Sequence, residues 1–294
     1  MRPKRQNGRL TDLAPALQAG GMFPYRLLVS LLFTLLLVPA AQAEEAAASE
    51  PGSIEWLVRK FLKERKPGSM SRYYTGELRH LGNRATPGAT YYEDKYELDV
   101  RINEQDETNA AVAATMSEPK ANKHTDFYLF LRKDDSGWKL AAVRSFAPPR
   151  GMGQMYAAVA AKGKEVDARD MRELTIMQVL QFNDWGMKQS FQQRREKLDR
   201  IAAEIRRAGL TDVVHGGQPH DRLDRKVWQE IHDAMINYVE MKESGTIEFN
   251  AASFGRSAVG FLWVPPSGSP PRATAEEYIL VEQLDGPWYL YRRQ

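Results

Sequence analysis

The sequence predicts an α+β fold made of two units, each with helices followed by an antiparallel sheet. The clearest observation lies in residues 126–146, where two runs of strand-forming residues flank the turn Asp134-Asp135-Ser136-Gly137, as in a β-hairpin. A similar pattern occurs in residues 277–291, and in both copies a Trp follows the turn. Because helical patterns precede each hairpin, the chain uses one helix-then-sheet plan twice.

Residues 27–38 are almost entirely apolar and predict a secretory signal peptide. Arg26 precedes this run, and small residues at Ala41 and Ala43 match the specificity of a signal-peptide cleavage site. The run is shorter than the ~20 apolar residues that a membrane-spanning helix needs, so cleavage is favoured over an uncleaved membrane anchor. We therefore expect removal of residues 1–43 and a periplasmic or secreted protein.

Composition divides the chain into five segments. Translation is expected to start at Met22, because the segment before it is long for the basic start of a leader. The predicted segments are a leader at residues 1–43, an Ala- and Glu-rich tether at 44–52, a first α+β domain at 53–147, a linker at 148–169 that begins with Pro148-Pro149, and a second α+β domain at 170–294.

The chain without its leader has almost no net charge. Of the 41 basic and 38 acidic residues, the leader holds five basic and one acidic, which leaves 36 and 37. Without a basic field, neither nucleic acid nor, after leader cleavage, a membrane is an expected partner. The sequence contains no cysteine, which excludes disulfides, thiol catalysis and thiolate metal sites.

The first unit begins with the most regular helical pattern in the chain. Ser53 is a candidate N-cap, and five apolar residues follow at the spacing of one buried face: Ile54, Leu57, Val58, Phe61 and Leu62. A shorter helix is expected at residues 69–81. Four apolar residues then alternate with polar ones, which predicts a strand with one buried and one wet face: Tyr96, Leu98, Val100 and Ile102. With the runs that follow, this strand predicts a four-stranded antiparallel meander with helices on one face.

The second unit is predicted to have a longer helical section before its sheet. Helical spacing runs from Asp170 to Gly209, and six basic residues lie on its outer face: Arg194, Arg195, Lys197, Arg200, Arg206 and Arg207. Such a face suits phosphates or acidic lipid, but interspersed acidic residues favour a solvated surface. A helix from Asp224 is expected to include Tyr238 and Val239. Four candidate strands follow, at residues 246–249, 258–264, 277–284 and 288–293.

Three stretches of the first unit have a pattern typical of a known protein family: Trp56-Leu57-Val58-Arg59-Lys60-Phe61-Leu62, Tyr73-Tyr74-Thr75 with Leu78, and Ser136-Gly137-Trp138-Lys139-Leu140. On these stretches, residues 53–146 resemble the NTF2-like superfamily, in particular its small exported members of unknown function. The resemblance implies a sheet that curls into a cone around a pocket closed by helices. Members include isomerases, dehydratases, binding modules and scaffolds, and the enzymes aim acids, histidines or tyrosines inward. The predicted inward row here contains no acid, so no catalytic residue is assigned.

The candidate ligand-binding residues are Tyr73, Tyr74, Tyr96 and Trp138. Their rings are apolar and their polar tips tolerate a wet cavity, so they suit the wall of a pocket. The expected pocket lies at the wide end of the cone, is lined mainly by apolar atoms, and has the few-hundred cubic ångström scale of small-molecule sites. The alternative is that Tyr73, Tyr74 and Trp138 fill the cone as core residues.

His215, His220 and His232, with Asp221 and Asp224 nearby, are the candidate zinc ligands. Their spacing does not match a trusted motif such as His-Glu-x-x-His, and a packed or hydrogen-bonded histidine is favoured. Neither a dinucleotide-binding nor a phosphate-binding glycine loop is visible. No cofactor or metal is therefore expected.

Three functions remain open after this reading of the sequence. The favoured one is an exported, non-catalytic protein that binds a partner protein or a small apolar ligand. The second is a cone-fold enzyme of isomerase, dehydratase or hydrolase type, which would use Tyr73 or Tyr74 with an acid from a loop. The third is a structural, envelope-associated protein. An open pocket with a carboxylate of raised pKa would favour the enzyme, and a filled cone with an exposed apolar patch would favour the structural role.

Overall fold

The computed structural model describes residues 50–64, 69–82, 96–121, 123–146, 152–162, 167–216 and 218–294. The predicted leader and most of the predicted tether lie outside these ranges. Helices account for 35% and strands for 36% of the structure, and the strands form two antiparallel sheets, so the predicted α+β class is confirmed. Ala48–Gln294 form one compact unit.

The first sheet is the predicted four-stranded antiparallel meander. Its strands, in both chain and spatial order, are β1 (Glu97–Gln105), β2 (Asn109–Glu118), β3 (Lys123–Asp134) and β4 (Gly137–Arg144). Each pairs antiparallel with the next one along the chain. The turn between β3 and β4 has Gly137 at φ 103°, a conformation that favours glycine, as the hairpin signal requires.

Helix α1 (Ile54–Lys63) covers one face of this sheet, and its Ser53 cap is confirmed because the Ser53 hydroxyl accepts a hydrogen bond from the Trp56 amide. All five of its predicted apolar residues are buried. The predicted helix at 69–81 is instead a 3₁₀ turn, Ser71–Tyr73, followed by α2 (Gly76–Leu81). The break occurs because Tyr74 is extended and forms a bridge with Leu140 on β4.

The buried row of β1 is only partly as predicted. Leu98 and Val100 pack against the α1 side of the sheet. Ile102, however, is 47% exposed, although it continues the same alternation. The alternation identified the correct face of the strand, but it did not show how far along the strand the helix would cover that face.

The described residues after β4 contain four helices and a six-stranded sheet. The helices are α3 (Met152–Ala161), α4 (Ala168–Leu180), α5 (Asp184–Ala208) and α6 (Arg225–Asp233). The strands are β5 (Val214–His215), β6 (Tyr238–Met241), β7 (Ile247–Phe254), β8 (Ser257–Trp263), β9 (Tyr278–Asp285) and β10 (Trp288–Arg293), in the spatial order β5-β6-β7-β8-β10-β9.

Two details of this second part correct the sequence-based prediction. The sheet has six strands rather than four. Val214 and His215 form the short strand β5, and α6 ends at Asp233, so that Tyr238 and Val239 belong to a strand that pairs with β5 and β7. Met235 has φ 52°, in the left-handed region, which is incompatible with continuing the helix. The apolar stretch within the predicted linker at 148–169, whose conformation the sequence left open, lies in helix α3.

The largest hydrophobic core combines both sheets. The face of the first sheet that points away from α1 contributes five residues, Ala111, Ala113, Tyr128, Phe130 and Ala142, to the same core as α5 and the second sheet. This face was expected to be wet, but residues from Met177 onwards cover it. A second core lies on the α1 side. The division at residues 148–169 into two separately folding domains stays a prediction.

Candidate functional site

Two cavities are lined by residues on the inner face of the first sheet, which we define as the face that points away from α1. On β3, alternate side chains reach this face: Phe130 lines cavity 1, Tyr128 is buried, and Asp126 and His124 line cavity 2. Cavity 1 has a volume of about 470 Å³ and cavity 2 about 270 Å³. Small-molecule sites usually span roughly 300 to 1,000 Å³, so cavity 1 has the size of such a site.

The floor of cavity 1 consists of small and apolar side chains from three strands. Ala110 and Ala111 come from β2, Phe130 from β3, and Ala141 and Ala142 from β4. Ala141 is an extra residue in β4, because Phe130 pairs with Ala142 and Leu131 with Leu140. Such β-bulges bend a strand and are frequent beside binding sites.

A second bulge brings a carboxylate to the same cavity. In β1, Ile102 pairs with Val112 and Glu104 pairs with Ala111, so Asn103 is the extra residue. In a regular strand without this bulge, Asn103 rather than Glu104 would pair with Ala111. The bulge therefore turns Glu104 onto the inner face, beside the floor of cavity 1.

Residues 272–276, in the long connection between β8 and β9, form the opposite wall of cavity 1. Arg272 bridges Glu104 (Nε to Oε1, 2.5 Å) and Asp106 (Nη2 to Oδ2, 2.6 Å). The amide of Ala273 also donates to Glu104 at 3.1 Å. Arg272 holds the pKa of the Asp106 carboxyl well below its usual range, helped by the Thr108 and Asn109 amides. These contacts fasten the wall to the turn between β1 and β2.

A further arginine fastens the other end of this wall. Arg144 donates from Nε to the Ala275 carbonyl at 3.0 Å and from Nη2 to Glu77 at 2.7 Å. Glu77 lies in the first turn of α2 and also lines cavity 1. By contrast, Arg132 lines the cavity and is exposed. Its side chain makes no hydrogen bond or ion pair within the described ranges. It is the cation at the rim that remains available to a ligand.

Cavity 2 lies beside the N-terminus of α5 and contains a buried arginine, Arg292, in its wall. Arg292 is 1% exposed because β10 directs Trp288, Leu290 and Arg292 to the core side of the second sheet. Its Nε donates to Asp184 Oδ1 and its Nη2 donates to the Phe182 carbonyl, both at 2.7 Å. Nη1 is buried and has no hydrogen-bond partner among the residues described.

Asp184 connects the first sheet, α5 and β10. Its Oδ1 also accepts a hydrogen bond from the Tyr128 hydroxyl at 2.8 Å, and its amide donates to Asp126 Oδ2 at 2.8 Å. The other oxygen of Asp126 accepts from the Thr115 hydroxyl at 2.8 Å. Asp126 thus fills the positive end of α5, where a carboxylate is favoured.

Further charges surround this group at slightly longer range. Arg101 Nη2 lies 3.5 Å from Asp184 Oδ2, and Arg101 Nε lies 3.5 Å from Glu282 Oε1. Lys188 contacts the same Glu282 oxygen at 2.6 Å. We call Arg101, Lys188, Arg292, Asp126, Asp184 and Glu282 the buried charge cluster. Arg101 also pairs with the exposed Asp99, so three cations face four carboxylates when all of them are ionised.

Asp126 is a member of the cluster whose carboxyl has a raised pKa. Burial raises the pKa of its carboxyl, and the nearby negative charge of Asp184 raises it further. The Asp184 amide and Arg292 act in the opposite direction but do not cancel the effect. Burial likewise raises the pKa of the Tyr128 hydroxyl well above its ordinary value, so Tyr128 remains a hydrogen-bond donor.

A separate polar group surrounds Glu248, which is fully buried in β7. Its Oε1 accepts hydrogen bonds from the Tyr291 hydroxyl at 2.7 Å and the Tyr238 hydroxyl at 3.1 Å, and Arg293 lies 3.3 Å away. Lys242 lies 3.5 Å from Oε2. None of these residues lines either cavity, so we treat this group as part of the fold.

The four predicted ligand-binding residues lie on the α1 side or at its margin and line neither cavity. Tyr74 is 7% exposed and packs edge-to-face on Phe61 with ring centroids 6.1 Å apart. Tyr73 packs on Trp56 in the same way at 5.5 Å. Trp138 is half-buried with Lys133 above its ring, and Tyr96 is half-buried just before β1.

The three candidate histidines are dispersed over local contacts. The His215 ring packs on Tyr238, His220 Nδ1 accepts from the Arg222 amide at 3.3 Å, and His232 lies 3.5 Å from Asp233. Within the described part of the chain, no three His, Asp or Glu side chains are grouped closely enough to hold a metal ion.

The cavity residues that sequence reasoning missed are charged groups on otherwise apolar rows. Arg292 follows Trp288 and Leu290 at the two-residue spacing of one strand face, which by itself signals a buried cation that needs a partner. Asp184 interrupts an apolar helical pattern and gives the same kind of signal, a buried charge that needs a partner. The wall at 272–276 gave no comparable signal, because its contacts depend on residues more than 160 positions away.

No protein-family model matches the chain, and neither the curated proteins nor the solved structures contain a match. No helix in the described ranges is long and apolar enough to cross a membrane. The geometry of the two cavities is therefore the basis for inferring a function.

Proposed function

We propose that this protein is an exported, non-catalytic binding protein that holds a small amphipathic organic molecule in cavity 1. The observation that carries the proposal is the cavity of about 470 Å³ between an apolar floor and a wall fastened by Arg272 and Arg144. Apolar floors with a few polar groups at the rim are the usual composition of ligand sites. The exposed guanidinium of Arg132 favours a ligand with an anionic end.

A binding role is favoured over catalysis by the state of the carboxylates in cavity 1. Glu104 is paired with Arg272 and Glu77 with Arg144, so each is committed to holding the wall. The enzymatic alternative has one observation in its favour, which is the raised pKa of Asp126 in the wall of cavity 2. Both oxygens of Asp126 already accept hydrogen bonds, however, which leaves it poorly placed to exchange a proton with a substrate.

We also propose that residues 53–146 form an NTF2-like unit, which a helix packed on a four-stranded meander supports. The ligand-binding face proposed here differs from the one that the NTF2-like resemblance implies, which is the face of the sheet covered by helices. The inner face of the sheet, rather than the face covered by α1, would receive the ligand.

Binding of 1-anilinonaphthalene-8-sulfonate, an amphipathic aromatic anion, tests the proposal by fluorescence titration. Arg132→Glu should weaken binding at least tenfold, equivalent to about 1.4 kcal/mol, because the rim cation becomes an anion. Lys133→Glu is the matched control. It makes the same charge change at the next exposed residue of β3, which does not line the cavity.

Three results would contradict the assignment. The dye does not bind at a saturable site, or both variants weaken it equally, which would indicate general charge attraction. Unchanged affinity in Arg132→Glu would move the site away from cavity 1.

A further inference from the structure

Cavity 2 contains a buried cation with an unused donor. Arg292 uses Nε for Asp184 and Nη2 for the Phe182 carbonyl, and Nη1 is its remaining nitrogen. A buried charged donor without an acceptor is destabilising relative to one that is paired. An acceptor in the adjacent cavity would remove this cost.

The surroundings of Arg292 limit how an acceptor can approach. The Phe146 ring covers one face of the guanidinium, with its centroid 4.5 Å from Cζ. Two of the three nitrogens are occupied by protein oxygens. The acceptor must therefore meet Nη1 in or near the guanidinium plane, which suits the oxygen of a planar group such as a carboxylate.

The remaining wall of cavity 2 has two parts. Phe146, Leu180 and Phe182 are apolar. The polar part of the wall consists of His124, Thr125, Asp126, Ser145, Gln181 and Asn183. Asn183 is the N-cap of the 25-residue helix α5, but the Asp184 amide already donates to Asp126 and the Gly186 amide to Asn183. The donor that this wall leaves for an acidic group is therefore Arg292 Nη1. A ligand with a short hydrocarbon body and one acidic end would match both parts.

The charge of the neighbourhood restricts the ligand to a single negative charge. With Asp99 beside Arg101, the carboxylates here already outnumber the three cations of the buried charge cluster, and two of them, Asp126 and Asp184, lie next to Arg292. A dianion such as hydrogen phosphate would be repelled by both. A monoanion adds one negative charge, and uptake of a proton by Asp126, whose pKa burial already raises, would offset it.

We propose that cavity 2 is a second ligand site that binds a small organic monocarboxylate. The carboxylate of the ligand accepts hydrogen bonds from Arg292 Nη1, and its hydrocarbon body packs against Phe146, Leu180 and Phe182. The volume of about 270 Å³ limits the ligand to a molecule smaller than the one proposed for cavity 1.

Benzoate is a suitable probe, with benzamide as its uncharged isostere and inorganic phosphate as the dianion. Isothermal titration at pH 8, where inorganic phosphate is mainly the dianion, should show saturable benzoate binding, at least tenfold weaker benzamide binding, and no phosphate binding. Because removing Arg292 endangers the fold, the site is blocked from its mouth instead. Gln181 lines the cavity and is exposed, so Gln181→Trp should abolish benzoate binding without touching the buried charges.

Gln178→Trp is the matched control, since Gln178 is exposed in the last turn of α4, just before the C-cap Gln181, and does not line the cavity. It should bind benzoate like the unaltered protein. Absence of saturable benzoate binding would overturn the proposal and leave cavity 2 as a water-filled space. Equal affinity in the two Trp variants, or phosphate binding tighter than benzoate, would overturn it as well. Neither variant touches cavity 1, so the dye titration of Arg132→Glu remains an independent test of the proposed function.

Discussion

The two faces of the first sheet are stabilised in different ways. On the α1 side, the buried residues are apolar side chains together with Tyr74. On the inner face, Ala and aromatic residues are buried together with Asp184 and Arg292, each of which is 1% exposed. Both cavities are lined by residues of this face. Well-packed apolar contacts give stability without specific polar chemistry, whereas a buried charge cluster costs desolvation and creates a place where a ligand can be recognised. The difference assigns stability to the first face and binding to the second.

Asp184→Ala should have the largest effect on stability. It removes the carboxylate that pairs with Arg292 and accepts from Tyr128, and an uncompensated buried charge costs about 3–5 kcal/mol. Urea unfolding followed by circular dichroism measures the loss. Asp212→Ala is the control, because Asp212 is exposed and a surface substitution of this kind changes stability by no more than about 0.5 kcal/mol. Equal losses of stability in Asp184→Ala and Asp212→Ala would show that the buried charge cluster contributes nothing to folding.

Tyr74→Ala tests whether the α1 side is core or pocket. Because Tyr74 is 7% exposed and packs on Phe61, emptying this site should destabilise the fold by about 3 kcal/mol. Tyr74→Phe keeps the ring and should cost less than about 1.5 kcal/mol. Thermal unfolding compares the two variants. If Tyr74→Ala leaves stability unchanged but abolishes dye binding, the α1 side contains the ligand site and the comparison of the faces is reversed.

The raised pKa of Asp126 makes the inner face sensitive to pH. In the folded protein this carboxyl binds its proton more tightly than in the unfolded chain, so its contribution favours folding at low pH and is lost as pH rises through the folded pKa. Asp126→Asn removes this titration. The stability of the variant relative to the unaltered protein should therefore increase from pH 4 to pH 7, as measured by urea unfolding.

Asp134→Asn provides a control of opposite sign. Hydrogen bonds from the Ser136 hydroxyl and amide lower the pKa of Asp134, so its contribution is present at neutral pH and lost in acid. The relative stability of this variant should decrease over the same pH range. A relative stability of Asp126→Asn that stays constant with pH would argue against a perturbed carboxyl in cavity 2.

Ile102→Ala should have the smallest effect. Ile102 continues the alternation of the buried row but is 47% exposed, so the change should alter stability by no more than about 0.5 kcal/mol. Leu129→Ala, at a fully buried position on the α1 side, should cost about 2–5 kcal/mol. Equal losses in chemical denaturation would mean that α1 and its neighbours cover β1 further than the structure shows.

Sequence alone predicted the features that depend on neighbouring residues. The Ser53 cap and the buried face of α1 follow from helical spacing, and the meander follows from alternation and from turn residues such as Gly137. These signals are reliable because each is decided within a few residues by backbone conformation and side-chain period. The same local rules mistook Tyr238 and Val239 for helix, because their strand depends on a partner, β7, that the period does not reveal.

The tertiary structure alone decided where the cavities lie and which charges meet. Tyr128 and Asp184 are 56 residues apart, Asp184 and Arg292 are 108 apart, and Glu104 and Arg272 are 168 apart. Each residue shows locally that it is charged or amphipathic, but its partner is fixed only when the second part of the chain covers the inner face of the first sheet. An alternating strand reports that two faces differ, and only packing determines what each face meets.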